Sequence, residues 1–244
     1  MLPAMAWLLD LDGVVWLSGH AIPRSVDAVA RLRAAGERVL FVTNNSGPRL
    51  AEQEEALEAI GIPAGGDVVT SAMAAADLVA PGATAYVAGG PGIVEALAAR
   101  HVTVNPEADR VDAVLVGLHR SFDYEGLRVA SNLARAGARL IGTNDDATFP
   151  TPDGQIPGGG AILAAVAFAS GATPVVAGKP YQPMADTVRA LVGGGPHVMV
   201  GDRPETDGAF AERLGARFAL VGTGVSKTSE FADLWTAVER LLSE

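Results

Sequence analysis

Short apolar runs alternate along this chain with stretches in which apolar residues recur at helical spacing. The short runs are typical of buried strands, and the longer stretches predict helices packed on one face. The stretch at residues 25–35, for example, predicts a helix, because Pro23 precedes it and Gly36 follows it. A strand is expected directly afterwards at residues 39–42. This alternation predicts parallel βα units and an α/β fold.

A second α/β series interrupts the first. It predicts strands at residues 85–88, 111–116 and 140–141 and a helix from about residue 123 to 136. The series ends in a tract rich in proline and glycine, residues 149–160, for which we expect an ordered loop with close backbone contacts. The order of elements predicts a Rossmann-like, doubly wound parallel-sheet core with an inserted α/β domain. Residues 1–76 and 177–244 form the predicted core, and residues 77–176 form the predicted insertion.

Four of the apolar runs end at side chains that can bind a cation or a phosphate. The residues at these ends are Asp10-Leu11-Asp12-Gly13, Thr43-Asn44-Asn45, Lys179 and Gly201-Asp202. In a doubly wound sheet, ligands bind beyond the carboxyl ends of the parallel strands. The sequence therefore predicts that these four segments meet at one site.

The first segment suggests covalent phosphate chemistry. In regular extension Asp10 and Asp12 share a face, where Asp10 could attack phosphorus and Asp12 could serve as general acid and base. Thr43 could bind a phosphoryl oxygen through its hydroxyl, helped by the backbone N–H of Asn44, and Lys179 could supply a positive charge. At each of these positions a purely structural interpretation stays open. Asp12-Gly13 could form only a turn, Thr43-Asn44-Asn45 only a helix cap, and Lys179 only a surface cation.

The acids also predict a metal site. Mg²⁺ prefers oxygen ligands, and Asp10, Asp12 and Asp202 are the predicted ligands, Asp12 through its backbone carbonyl. Asp207 could orient a metal-bound water from outside the ligand set. It could equally be an ordinary acid at the start of a helix, where the helix dipole favours negative charge.

Composition and charge exclude several classes of protein. The chain has 244 residues and a formal charge of −10, without a basic cluster, so no nucleic-acid or anionic-membrane partner is expected. The absence of cysteine excludes disulfides and thiol catalysis and fits a reducing compartment. The N-terminal apolar run is broken by Asp10 and Asp12 and has no basic leader. We therefore expect a cytoplasmic protein.

Taken together, the four segments resemble the motifs of the haloacid dehalogenase (HAD) superfamily. The matches to the four motifs are, in order, Leu9-Asp10-Leu11-Asp12-Gly13-Val14, Val42-Thr43-Asn44-Asn45-Ser46, Gly178-Lys179-Pro180, and Gly201-Asp202 through Asp207. Within the insertion, Val116-Gly117-Leu118 and Gly142-Thr143-Asn144-Asp145-Asp146 are similar to signatures of subclass IIA, which has a large α/β cap. That subclass includes nucleotide and sugar phosphatases, 4-nitrophenylphosphatase and phosphoglycolate phosphatase.

The resemblance implies a Mg²⁺-dependent phosphomonoester hydrolase that works through an aspartyl phosphate. It makes Asp10 the nucleophile, Asp12 the general acid and base, and Asp10, Asp12 and Asp202 the metal ligands. The implied substrate is a small phosphorylated metabolite, such as a sugar phosphate, a nucleotide or a phosphoglycolate-like acid. Specificity would come from the cap residues His119, Arg120, Asn144 and Asp146, and a homodimer is possible. Two alternatives stay open, a phosphotransferase or phosphomutase using the same phosphoenzyme, and a phospho-ligand binding protein without catalysis.

Overall fold

A computed structural model describes residues 5–17, 19–151, 154–226 and 228–244. Its strands are β1 Ala6–Leu9, β2 Trp16–Leu17, β3 His20–Ala21, β4 Arg38–Thr43, β5 Val68–Thr70, β6 Thr84–Ala88, β7 Thr103–Val104, β8 Ala113–Val116, β9 Arg139–Gly142, β10 Thr148–Thr151, β11 Gly154–Pro157, β12 Val175–Val176, β13 His197–Gly201 and β14 Arg217–Leu220. Its helices are α1 Ser25–Ala34, α2 Leu50–Ala59, α3 Ser71–Ala76, α4 Pro91–Ala99, α5 Tyr124–Arg135, α6 Gly159–Ser170, α7 Gln182–Val192, α8 Ala209–Leu214 and α9 Leu234–Leu241. A π-helical turn, Pro204–Gly208, leads into α8. Within the ranges described, every helix is too short or too polar to cross a membrane.

The described residues form two compact units when they are grouped by their internal contacts. The first unit contains residues up to 43, 51–69 and 188–244, and the second contains residues 44–50 and 70–187. Each unit has its own sheet. The domain boundaries expected at residues 76 and 177 stay a prediction.

The sheet of the first unit has the strand order β14-β13-β1-β4-β5. Its central strand β1 pairs in parallel with both β13 and β4. Trp7, Leu8 and Leu9 have no exposed surface, as expected for a parallel strand that is covered on both faces. The strand order reverses at β1, and such a reversal opens a crevice at the carboxyl ends of the neighbouring strands. The predicted doubly wound α/β fold is therefore confirmed.

Helices α1 and α9 pack against each other in the first unit. The buried residues Val29 and Leu32 of α1 and Leu234 and Val238 of α9 lie at helical spacing on one side of each helix. The guanidinium group of Arg24 lies 3.8 Å from the ring centre of Trp235, which adds a cation–π contact. Helix α1 also packs against strand β4. Neither helix of this pair contains a predicted site residue.

The sheet of the second unit has the strand order β12-β9-β8-β6-β7, and its pairs are parallel. Helices α5 and α6 pack side by side on it. Their buried residues Ala130, Leu133, Leu163 and Val166 form one apolar cluster with strand residues such as Val114. The second α/β series of the sequence thus folds as an α/β unit with a core of its own.

One sequence expectation in the second unit was wrong in part. Strands β10 and β11 pair antiparallel within the tract expected to be a loop, from Thr148 opposite Pro157 to Thr151 opposite Gly154. Proline is tolerated there because a two-stranded hairpin leaves one edge of each strand without a ladder partner. The expected close backbone contacts do occur after the hairpin. A Cβ atom on Gly158 would lie 2.3 Å from the carbonyl oxygen of Asp146.

Candidate active site

Three of the predicted site residues follow or end neighbouring strands of the first unit. The register places Leu9 of β1 level with Phe41 of β4 and Val200 of β13. Asp10 therefore begins the loop after β1, and its N–H donates to the carbonyl oxygen of Val200 at 3.0 Å. Thr43 ends β4 and is buried. Asp202 follows Gly201, the last residue of β13, at the same edge of the sheet.

A cluster of three carboxylates lies at this edge. Asp10, Asp202 and Asp207 each offer an oxygen, and these oxygens lie within 4.8 Å of one another. Asp202 and Asp207 are both 1% exposed, whereas Asp10 is half-buried. The predicted metal ligands are Asp10, Asp202 and the backbone carbonyl of Asp12. Among the described acids, the third carboxylate of the cluster belongs to Asp207 and not to Asp12.

The position of Asp12 follows from a tight turn after β1. The strand ends at Leu9, and Gly13 has a φ of +92°, which favours glycine. The N–H of Gly13 donates to the carbonyl oxygen of Trp16 at 2.7 Å, and Asp12 forms an isolated bridge with Trp16. The chain therefore leaves regular extension before Asp12, so strand alternation alone does not fix where this carboxylate points.

Asp207 is held inside the π-helical turn that follows Asp202. Its Oδ2 accepts hydrogen bonds from the N–H groups of Asp202 and Arg203, each at 3.2 Å. A Cβ atom on Gly201 would lie 2.2 Å from the Cβ of Asp207, so only glycine allows this approach. Because Asp207 is buried against the Asp202 loop, it differs from an ordinary solvated acid at a helix start. Of the two alternatives for Asp207, its position favours a side chain that acts next to Asp202 over an ordinary acid at a helix start.

Asp202 is held by a loop that the sequence motifs did not include. The N–H of Val225 donates to its Oδ2 at 2.7 Å. Cβ atoms on Gly13 and Gly224 would lie 2.7 Å and 1.9 Å from the same oxygen. The sequence signal for this loop is Gly222-Thr223-Gly224, two closely spaced glycines just after β14.

The chemistry of the carboxylate cluster fits a small, hard cation. The three side chains of the cluster offer carboxylate oxygens as metal ligands, and Mg²⁺ and Ca²⁺ prefer oxygen ligands. Carboxylates this close repel one another, and burial makes that repulsion costly unless positive charge or a proton offsets it. Asp10, Asp202 and Asp207 can therefore hold a divalent cation.

The second unit contains Asn44 and Lys179, two of the predicted phosphate-binding residues. Lys179 is 2% exposed. The Oδ1 of Asn44 accepts from the backbone N–H of Lys179 at 2.8 Å, and its Nδ2 donates to the carbonyl oxygen of Lys179 at 3.0 Å. These contacts tie the two motifs together within this unit. The expectation that Lys179 meets Asp10 stays a prediction.

The four predicted specificity residues of the insertion have two kinds of surroundings. Asn144 donates to the carbonyl oxygen of Asn44 at 2.8 Å, and Asp146 accepts from the Nδ2 of Asn44 at 3.1 Å. His119 and Arg120 instead line a cavity of about 360 Å³ that is mostly apolar, and the ring of His119 meets Phe122 edge-on at 6.3 Å. Of the four predicted specificity residues, His119 and Arg120 line this cavity, whereas Asn144 and Asp146 contact Asn44.

Tyr181 lies close to Lys179 in sequence and was not singled out by the sequence analysis. Its hydroxyl donates to the carboxylate of Asp145, which follows Asn144. This hydrogen bond and partial burial raise the pKa of Tyr181 to about 12. The hydroxyl therefore stays protonated at neutral pH and remains a donor to Asp145.

Comparison with known proteins identifies the family. Residues 7–103 match the model of the haloacid dehalogenase-like hydrolases, and residues 176–240 match a second model, described as HAD-hydrolase-like. The chain belongs to the haloacid dehalogenase superfamily. Its relatives assign it to subclass IIA, and it is a HAD-type phosphatase.

The similarity to individual HAD proteins extends over most of the chain. An acid sugar phosphatase of Staphylococcus saprophyticus is 36% identical, covering 92% of this chain and 89% of that protein. A 5'-nucleotidase of Bacillus subtilis is 34% identical over 93% of this chain and 90% of its own length. A crystal structure of glycerol phosphate phosphatase from Mycobacterium tuberculosis in complex with magnesium matches with a TM-score of 0.85 and 35% identity, covering 92% of this chain and 69% of that one.

Proposed function

We propose that this HAD protein is a Mg²⁺-dependent hydrolase of small phosphomonoesters, with Asp10 as the nucleophile. The observation that carries the proposal is the cluster of Asp10, Asp202 and Asp207 at the carboxyl ends of β1 and β13. Sugar phosphates, nucleotides and glycerol phosphate are the esters named for similar proteins, and they define the proposed substrate class. A magnesium complex of one structural neighbour supports the choice of metal.

In the proposed reaction, a carboxylate oxygen of Asp10 attacks phosphorus and the bond from phosphorus to the ester oxygen breaks. The carboxylic acid of Asp12 gives its proton to the departing alcohol. The carboxylate of Asp12 then takes a proton from water, whose oxygen attacks the aspartyl phosphate. The bond from phosphorus to Asp10 breaks, and inorganic phosphate leaves. Proton transfer of this kind contributes about 10²- to 10⁴-fold in rate.

The remaining predicted residues have binding roles in this proposal. Thr43, the backbone N–H of Asn44 and Lys179 bind the phosphoryl oxygens. Asp10, Asp202 and the backbone carbonyl of Asp12 hold Mg²⁺, with Asp207 beside them. When bound, the cation offsets the negative charge of the carboxylates and of the phosphate, so that one anion can approach the other.

A panel of phosphomonoesters tests this function. Purified protein with Mg²⁺ should release inorganic phosphate from sugar phosphates, nucleotides or glycerol phosphate, measured by a colorimetric phosphate assay. Isomerised ester without free phosphate would indicate a mutase, and phosphate moved to a second alcohol would indicate a phosphotransferase. Binding of the esters without turnover would indicate a sensor. Each of these three results would contradict the hydrolase.

Replacing Gly13 by alanine tests whether the packing around Asp202 matters for catalysis. The new methyl group would lie 2.7 Å from the Oδ2 of Asp202, so the distance between this carboxylate and the Gly13 turn must increase. A shift of about 1 Å at a reacting group can cost on the order of 100-fold in rate. We expect kcat/KM for the best ester of the panel to fall by about that factor.

Gly215→Ala is the matched control for Gly13→Ala. Gly215 also has a positive φ, +70°, but a Cβ atom there meets nothing within 4 Å. Both variants should lose about 1–2 kcal/mol of stability through backbone strain. If Gly215→Ala lowered kcat/KM as much as Gly13→Ala, strain alone would explain the loss and the role of Asp202 packing would be refuted.

A further inference from the structure

The side chain of Asn44 binds the backbone of Lys179 on both sides of the residue. Its Oδ1 accepts from the Lys179 N–H at 2.8 Å, and its Nδ2 donates to the Lys179 carbonyl oxygen at 3.0 Å. The amide of Asn44 thus provides the hydrogen bonds that the backbone of a neighbouring strand would otherwise make with the N–H and carbonyl groups of Lys179. The pattern also fixes the orientation of the amide, because the reverse assignment would oppose donor to donor and acceptor to acceptor.

Asn44 is itself held by three other residues of the second unit, Ser71, Asn144 and Asp146. Its Nδ2 donates to the Oδ2 of Asp146 at 3.1 Å, a bond to a charged acceptor. Its carbonyl oxygen accepts from Ser71 Oγ at 2.7 Å and from Asn144 Nδ2 at 2.8 Å. The N–H of Asp146 donates in turn to the Oδ1 of Asn144 at 3.2 Å. The orientation of Asn44 is therefore determined by Ser71, Asn144 and Asp146.

The backbone packs closely around these hydrogen bonds at Gly178. A Cβ atom on Gly178 would lie 2.5 Å from Asn44 Oδ1 and 2.5 Å from the carbonyl oxygen of Thr143. The next residue, Lys179, is 2% exposed, so its long side chain has few open rotamers. The backbone position set by Asn44 therefore restricts where the ammonium group of Lys179 can lie.

We infer that Asn44 is a positioning residue for Lys179. Asn144 and Asp146 hold Asn44 in place, and they affect the reaction through it rather than by contact with the substrate. The inference rests on the proposed function, in which Lys179 binds phosphate. It adds a side-chain role for Asn44 to the backbone role proposed above.

Asn44→Asp is the variant that tests this role. It keeps the size of the side chain and the backbone N–H, but it puts an acceptor opposite the carbonyl oxygen of Lys179 and a second carboxylate opposite Asp146. Loss of the donated hydrogen bonds should displace Lys179, and displacement of that order costs about 100-fold in kcat/KM. Competitive inhibition by inorganic phosphate should weaken by about tenfold, because a bond to a charged group is impaired.

A second substitution should rescue the first. In the double variant Asn44→Asp with Asp146→Asn, the new amide at position 146 can donate to the new carboxylate at position 44. The Lys179 N–H also keeps its acceptor. We expect kcat/KM to recover at least about tenfold relative to Asn44→Asp alone, as for residues in direct contact in a double-mutant cycle.

Asn132→Asp is the matched control, since it makes the same change in the same unit. Asn132 is exposed on α5, and its Oδ1 accepts from Arg135 at 3.0 Å, which the new carboxylate can still do. Its kinetics should equal those of the unsubstituted protein. The rates are to be normalised to the folded fraction from thermal unfolding, so that instability does not imitate a kinetic loss.

Several results would overturn the inference. Unchanged kcat/KM and phosphate inhibition in Asn44→Asp would do so, and so would a double variant no better than the single one. A lowered Tm with normal rates in the folded fraction would leave Asn44 a purely structural role. If the unsubstituted protein cleaved no ester, the proposed function would fail instead. Calorimetric binding of inorganic phosphate would then still compare Asn44→Asp with the double variant.

Discussion

Replacing Asp10 by asparagine is expected to lower phosphate release by at least about 10⁴-fold, as for other enzymes that lose their nucleophile. The amide keeps the shape of the side chain but lacks the anionic oxygen that would attack phosphorus. Rapid acid quenching of the unsubstituted protein with a radiolabelled ester should trap label on the peptide that contains Asp10. The same quench of Asp10→Asn should yield no labelled peptide.

Asp27→Asn is the control for this experiment, because Asp27 is an exposed acid on α1 in the same unit. It makes the same chemical change away from the cluster and should keep full turnover. Substantial activity in Asp10→Asn, or label on a peptide without Asp10, would refute the assignment of the nucleophile. If circular dichroism showed that Asp10→Asn is unfolded, its rate could not be interpreted.

The sequence predicts the strand ends well, because local pattern alone determines them. The apolar run Leu8-Leu9 is followed by Asp10, and residues 198–200 are followed by Gly201-Asp202; these runs form the neighbouring strands β1 and β13. Parallel strands of a doubly wound sheet point their carboxyl ends in one direction. The placement of Asp10 and Asp202 at one edge therefore follows from the strand assignments, once the fold class is known.

The composition of the carboxylate cluster could not be predicted in the same way. The turn at Gly13 removes Asp12 from strand geometry, and the π-helical turn at Pro204–Gly208 points Asp207 back at Asp202. Turns of this kind depend on close backbone approaches, such as that of Gly201 to Asp207. Sequence periodicity describes regular elements and carries no signal for such approaches.

The Asn44 network lay beyond sequence reasoning for a different reason. Asn44 is separated by 102 residues from Asp146 and by 135 residues from Lys179. The motif containing Asn44 predicts a phosphate-binding loop, and nothing within it indicates which distant backbone its side chain will meet. The signals that could have suggested the contact are Gly178 before Lys179 and the paired acids Asp145 and Asp146, whose positions only the fold explains.

Removal of divalent cations is the second change with a large expected effect. The proposed hydrolase should lose at least about 10³-fold in rate with EDTA, since metal ions supply several kcal/mol to such reactions. Added Mg²⁺ should restore the rate, as measured by phosphate release in the same sample. An unchanged rate after exhaustive chelation would remove Mg²⁺ from the proposed mechanism.

Asp202→Asn tests metal binding independently of catalysis, because the measurement is thermal stability with and without Mg²⁺. Without cations, the variant should unfold at a temperature no lower than the unsubstituted protein, since one of three carboxylates within 4.8 Å no longer repels the others. With Mg²⁺ at a hundred times its Kd, the unsubstituted protein should gain about 2.7 kcal/mol, whereas the variant should gain little. Asp27→Asn should show the full gain. Asp202→Asn should therefore melt no lower than the unsubstituted protein without cations and below it with Mg²⁺. An equal gain from Mg²⁺ in Asp202→Asn would contradict its role as a ligand, because loss of a ligand must weaken binding.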